Sequence, residues 1–308
     1  MKGIFFHYFT DDNNINCQGA LNKTQFENII KYILSNYKMY QPSDVTPETL
    51  NTKDSTNSVC LCFNCGLKSQ VEIALPVLEK YNIRAFWMLC SNVFENKIVK
   101  IETYHHFRFF SYNNLDDFYS DFFNIAKLYL NSKGKSICGV IKEMHALNYL
   151  AWSNYYTFED KLYRYLRDFS LCNEYDLIME KMMKKKNYNP YDYFERLWMN
   201  ISDIEMILEK KNIIGLHSHT HPNRIELLDY EEQYYEYRKN KEILESITGT
   251  NITSMSHPSN SYNEDTISIL NELGITIGFQ SKNPNSKSNL SIPTIDHSEF
   301  LNNYKMIR

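Results

Sequence analysis

Three histidines at alternate positions follow a short apolar run in Gly215-Leu216-His217-Ser218-His219-Thr220-His221-Pro222. Histidine is the commonest metal ligand, and its neutral imidazole binds zinc well. His217 and His221, four residues apart, would share one face if the segment turns helical after its strand, which leaves His219 pointing elsewhere. That spacing suits two ligands and one helper; the plain alternative is a polar loop with incidental histidines. A second stretch, Val59-Cys60-Leu61-Cys62-Phe63-Asn64-Cys65-Gly66, ends an apolar β-rich run in an amide, a thiol and a glycine.

The elements around these residues fix where they stand. Asn64-Cys65-Gly66 reads as a strand end, a turn and a helix start. Ile73, Leu75, Pro76, Val77 and Leu78 then give a mostly apolar helix, and 83–89 is another buried strand. Strand, helix and strand in succession imply a parallel βαβ unit, in which ligands collect at the carboxyl ends of strands, where Asn64 and Cys65 sit. Beyond the histidines, 230–245 is a charged amphipathic helix ended near Gly249. A strand at 252–255, a helix at 266–273 stopped by Gly274, and a strand at 275–279 continue the alternation, and Pro284 marks an exposed loop.

Phe63-Asn64-Cys65-Gly66 occupies the place of the Phe-Asp-Asp-Gly motif of the polysaccharide deacetylase family (NodB homology, carbohydrate esterase family 4). His217-Ser218-His219-Thr220-His221 resembles that family's His-Ser/Thr-x-x-His motif, and His257-Pro258-Ser259-Asn260-Ser261-Tyr262-Asn263 resembles its Pro-Tyr-Gly-Ser-Tyr-Asn segment. Phe5 to Phe9, Leu21 to Phe26 and Ile292 to Asp296 are similar to its first strand, first helix and last strand. The resemblance implies an α/β fold, a distorted (β/α)7-type barrel, with a divalent metal held by one Asp and two His. In the family the metal polarises an acyl carbonyl and activates water, the other Asp is the general base, and an acyl group on a sugar is hydrolysed. The whole chain, 1–308, is then one barrel domain.

Two positions depart from the pattern. Asn64 stands where the family has its base, and a carboxamide takes up no proton at neutral pH. Cys65 stands at the metal-binding Asp; a thiolate is a good zinc ligand, so Cys65, His217 and His221 still make a three-ligand Zn²⁺ site with an open position. A substitute base is sought among His219, Asp11, Asp12, His257 and Asp296, and His297 is the candidate general acid for the leaving amine, against a plain surface histidine. The family's arginine before its Pro motif is missing, since Ser256 and His257 precede Pro258, and Thr294 follows Pro293 where related sequences often carry arginine. Cys65 beside histidines also fits a metal-free thiolate nucleophile working through a thioester.

Between about 102 and 206 the alternation gives way to long, helix-like segments, with apolar residues every three or four positions at 116–130 and 158–169 and a returning helix at 200–210. This is read as a helical insertion in the barrel that caps the strand ends and selects substrate, or else a dimerisation or structural lobe. The net charge of -4 offers no basic face for nucleic acid, and no run approaches a membrane span. Seven cysteines without regular spacing argue against a disulfide scaffold, and the amino terminus lacks the pattern of a signal peptide, so a cytoplasmic location is expected. The leading expectation is a hydrolase removing an N-acyl group, acetyl or formyl, from a sugar nucleotide or lipid-linked precursor of a surface glycan such as lipopolysaccharide. The competing one is an inactive homologue that binds such a sugar.

Overall fold

In the computed structural model, which describes residues 1–50, 57–151, 153, 155–280 and 288–298, eight strands are found: β1 (Lys2–Phe6), β2 (Lys38–Met39), β3 (Ser58–Cys65), β4 (Phe86–Leu89), β5 (Ile213–Leu216), β6 (Ser254–Ser256), β7 (Ile277–Gln280) and β8 (Ile292–Asp296). All their pairings are parallel. The order β1-β8-β7-β6-β5-β4-β3, closed by pairing of β1 with β3, makes a seven-stranded barrel, and the two-residue β2 pairs with the start of β3. This is the α/β barrel the resemblance implies. The Pro284 loop lies outside the described residues.

The twelve α-helices among the described residues are α1 (Lys23–Asn36), α2 (Pro47–Leu50), α3 (Leu75–Lys80), α4 (Lys100–Phe110), α5 (Leu115–Ser132), α6 (Ile137–Ala146), α7 (Phe158–Tyr165), α8 (Asn173–Lys185), α9 (Phe194–Leu197), α10 (Ile201–Glu209), α11 (Tyr230–Thr248) and α12 (Glu264–Glu272). The chain forms two compact units, Met1–Val99 with the segment from Tyr193 onward, and Lys100–Asp192. Helices α9 and α10 therefore belong with the barrel.

Strand β3 shows how sequence becomes layers. All eight of its residues are buried, and alternation sends Val59, Leu61 and Phe63 to the core shared with the helices and Cys60 and Cys62 into the barrel interior. The outer core is strongly aromatic: Phe63 stacks on Trp87 at 4.4 Å, and Phe6 packs edge-on against Phe26 at 5.0 Å. Gly215 is required in β5, because a Cβ there would lie 2.3 Å from Met88 Sδ and 2.9 Å from the Ser254 carbonyl oxygen. Helices start where side chains cap them: Asn22 and Gln25 form a capping box on α1, Asp229 and Glu232 one on α11. Gly249, at φ 65°, ends α11 in the left-handed conformation that glycine favours.

The second unit is built from α4 to α8. Its interior joins Phe107, Phe118, Phe122, Tyr163 and Tyr175 to a buried ion pair, Arg108 with Asp160 at 3.6 Å. The Arg108 guanidinium lies 5.3 Å from the ring of Tyr163, and Tyr119 donates to Asp160, so the charges are both paired and ringed by aromatics.

Candidate metal centre

Strand β3 delivers Asn64 and Cys65 to its carboxyl end. Cys65 adopts φ 75° and Gly66 φ 81°, two successive left-handed residues that turn the chain sharply out of the sheet. Such a conformation is uncommon for a residue with a side chain and persists where its surroundings hold it. Here the Met199 N–H donates to the Gly66 carbonyl at 3.0 Å, and Leu67 pairs with Trp198. Gln70, wholly buried, donates through Nε2 to the backbone oxygens of both His7 and Asn64 at 2.8 Å, so one amide ties the ends of β1 and β3 together.

Strand β5 delivers the histidines, but no helix follows it. Residues 217–222 form an irregular loop with Ser218 at φ 63° and His221 at φ 60°. The conditional helical face is therefore replaced by a bend, which still brings the imidazoles of His217 and His221 to 4.8 Å between ring centres. Ligand atoms of Cys65, His217 and His221 all lie within 4.8 Å of one another, and all three residues are buried.

The donor set suits zinc. A tetrahedral zinc with bonds of 2.0–2.3 Å spaces its ligands about 3.5 Å apart, within reach of small side-chain adjustments from the separation found. The His217 Nδ1–H faces the Ser256 carbonyl oxygen at 3.0 Å and the Ser256 hydroxyl at 2.7 Å, which leaves Nε2 as the lone-pair nitrogen. Burial, then the neighbouring His221 imidazole and more weakly His7 and His257, hold His217 far below the ordinary histidine value, so the ring is neutral, as a ligand must be.

That hydrogen bond continues in one direction. With Nδ1–H donating to Ser256 Oγ, the Ser256 hydroxyl donates onward to Asn64 Oδ1 at 3.1 Å. The Asn64 carbonyl oxygen accepts this bond, and Nδ2 is the donor end of the amide. Asn64 therefore presents a donor where a base would present an acceptor.

The other sequence candidates divide. His219 faces Ser91 Oγ with Nδ1 at 2.9 Å and Glu95 with Nε2 at 3.8 Å, and burial lowers its pKa. His257 donates from Nε2 to the Leu290 carbonyl at 2.8 Å and stacks on Tyr262 at 4.5 Å, while burial depresses it to about 4. His297 donates from Nε2 to the Gly19 carbonyl at 2.8 Å and stacks on Phe6. Asp11 accepts from the backbone of Asn13 and Asn14 in its own exposed loop. Asp296 sits at the end of β8, 3.4 Å from His7 Nδ1 and 3.6 Å from His297 Nδ1. Burial opposes its ionisation, but His297, His7 and Ser298 outweigh that and keep its carboxyl well below the usual range.

His7 is the residue that sequence reading passed over. The register pairs Phe6 with Phe63, so His7 leaves β1 level with Asn64 leaving β3. A lone histidine directly after the first strand was the available signal. Ser256, Gln70, Asn240 and Glu236 were also missed, because neutral amides and hydroxyls in strand and helix runs carry no motif.

Residues 174–278 match the polysaccharide deacetylase family model, a span that includes the three histidines but not Asn64 and Cys65. Among solved structures the chain is similar to the Streptococcus pyogenes deacetylase PplD in complex with acetate, at 13% identity and TM-score 0.57 over 96% of this chain and 91% of that one. It is also similar to a de-N-acetylase from Aggregatibacter actinomycetemcomitans, at 9% identity and TM-score 0.55 over 96% and 93% of the two chains. IcaB from Ammonifex degensii gives 10% identity and TM-score 0.54 over 96% and 90%. No curated protein matches the chain. At such identities these structures establish the barrel, and the matched segment resembles the polysaccharide deacetylase family over the part of the chain that carries the three histidines.

Proposed function

We propose that this protein is a zinc-dependent deacylase of an N-acylated sugar, in a glycan or in a sugar-nucleotide or lipid-linked precursor of one. The observation that carries the reading is the buried Cys65-His217-His221 cluster, its ligand atoms within 4.8 Å, at the carboxyl ends of β3 and β5. The family match and the deacetylase barrels support the same reaction class. Cys65, as thiolate, and the Nε2 of His217, with His221, would hold the ion. When bound, zinc supplies Lewis-acid polarisation of the acyl carbonyl and an acidified water at its open position.

The chain's own residues do the rest. Ser256 fixes the tautomer of His217, and Asn64 Nδ2 hydrogen-bonds the acyl oxygen of the substrate. Proton movement falls to His7, whose Nδ1 is set against the Asp296 carboxylate so that Nε2 accepts or returns the proton. Asp296 orients that ring.

One observation favours a second reading, a sugar-binding homologue without turnover. Asn64 Oδ1 accepts from Ser256 and the amide has no proton affinity at neutral pH, so the position of the family base takes up no proton. Acetate release from N-acetylglucosamine oligomers by the zinc-loaded protein separates the two. Turnover that disappears on chelation supports the deacylase; tight oligomer binding with no release supports the binder.

A further inference from the structure

We infer that helix α11 positions the histidine ligands through two buried polar side chains, Glu236 and Asn240, and that this task is the reason its inward face is polar. The inference rests on the metal reading above. A surface helix ordinarily buries an apolar stripe. Helix α11 buries Gln233, Glu236 and Asn240 beside Tyr237 and Leu244. Positions 233, 236 and 240 fall on one face, three and four residues apart.

Both side chains, Glu236 and Asn240, contact the ligand loop. Asn240 Oδ1 accepts from the backbone N–H of His217 at 3.0 Å, while its Nδ2 donates to the Leu89 carbonyl at 3.0 Å. One side chain thereby spans the ends of β5 and β4 at the residue that begins the loop. The Glu236 carboxylate accepts from both groups of Thr220, the backbone N–H at 2.8 Å and the hydroxyl at 2.6 Å. Its own backbone oxygen accepts from the His219 N–H at 3.1 Å. Thr220 immediately precedes His221, and the loop carries two left-handed non-glycine residues, Ser218 and His221. Backbone of this kind is kept only where neighbours over-determine it. The Ser218 hydroxyl, accepting from the His221 N–H at 3.1 Å, and the Glu236 carboxylate supply that restraint on either side of the turn.

A purely structural helix would do better with apolar residues at these positions, because burying a carboxylate is unfavourable even when it is hydrogen-bonded. The comparison lies on the same face. Gln233 is equally buried, yet it donates to the Leu228 carbonyl at 3.0 Å and accepts from the Thr266 hydroxyl at 2.5 Å, contacts outside residues 217–221. Gln233 is thus a matched control for loss of a buried polar side chain from α11. Glu236 and Asn240 are positioning residues.

The test measures zinc affinity by competition with a chromogenic chelator, and thermal stability of the metal-free proteins, for wild type, E236A, E236Q, N240A and Q233A. All the alanine variants are expected to lose stability. E236A and N240A should also weaken zinc binding by on the order of 10- to 100-fold, the usual effect of removing a group that holds a metal ligand in place. Q233A should leave zinc affinity at the wild-type value. E236Q keeps one acceptor for Thr220 and should fall between wild type and E236A; it carries the test should E236A not fold. Wild-type affinity in E236Q and N240A, or an equal loss in Q233A, overturns the inference while leaving the metal centre intact. A wild-type protein that takes up no zinc overturns the metal centre itself and this inference with it.

Discussion

At the end of β5, two imidazoles four residues apart are brought together by a loop that α11 and Ser218 restrain; at the end of β3, an amide and a thiol stand where the family has two carboxylates. The two ends meet in one cluster, yet they tolerate substitution differently. Ligation asks for a lone pair in the right place, and a thiolate at Cys65 satisfies it as a carboxylate does. Proton uptake asks for a suitable pKa, which the Asn64 amide lacks. On the proposed reading the metal half of that chemistry is kept, and proton transfer moves to the ends of β1 and β8, where His7 and Asp296 pair.

The largest effect should come from breaking the shared cluster. Cys65→Ala removes one of three protein ligands and should weaken zinc by on the order of 1000-fold, about a third of the free energy typical of structural zinc. Unchanged affinity in a chelator competition would separate β3 from the metal.

Next in size is a pH effect on the histidine side of the centre. His257 is held at about 4 by burial against an ordinary value of 6.5, so the metal-free folded protein keeps it neutral while the unfolded chain takes up a proton. Its contribution to stability is intact above pH 6.5 and is lost progressively as pH falls toward 4, by about 3 kcal/mol in all. Urea midpoints between pH 7 and 4 should show that decline, and a smaller one in His257→Gln. Equal slopes in the two proteins would mean that His257 is not the group titrating.

Asn64→Asp sharpens the comparison from the β3 side. If the missing base is what limits turnover, this variant should raise acetate release by on the order of 100-fold, the lower end of what a positioned base contributes. No gain over a measurable wild-type rate, with zinc still bound, would fit the proposal that His7 and Asp296 already supply the base. The smallest effect is expected on the outer face of α11. The exposed Arg238–Glu242 pair, 2.7 Å apart, is screened by solvent, so Arg238→Ala should leave both unfolding and zinc affinity nearly untouched.

Much of the barrel was legible because its signals are local. The strand at β3, the helix ended by Gly249 and the β6-α12-β7 alternation each announce themselves through periodicity and stop residues. His217 and His221 were legible as a pair, although the loop conformation joining them was not, since left-handed residues at Ser218 and His221 have no glycine to mark them. His7 stayed hidden because its partner, Asp296, is 289 residues away and only barrel closure brings β1 beside β8. The polar face of α11 was hidden for a related reason: in sequence, Glu236 and Asn240 look like two more solvated residues in a charged helix, and only the packed structure shows them buried.

The most direct test is the absorption spectrum of the protein loaded with cobalt(II), in wild type and in Cys65→Asp. A thiolate ligand gives an intense sulfur-to-cobalt charge-transfer band in the near ultraviolet, which a carboxylate ligand does not. The Cys65-His217-His221 centre predicts the band in wild type, at one cobalt per chain, and its disappearance in a variant that still binds cobalt. Stoichiometric cobalt without the band, or a band that survives Cys65→Asp, would contradict it.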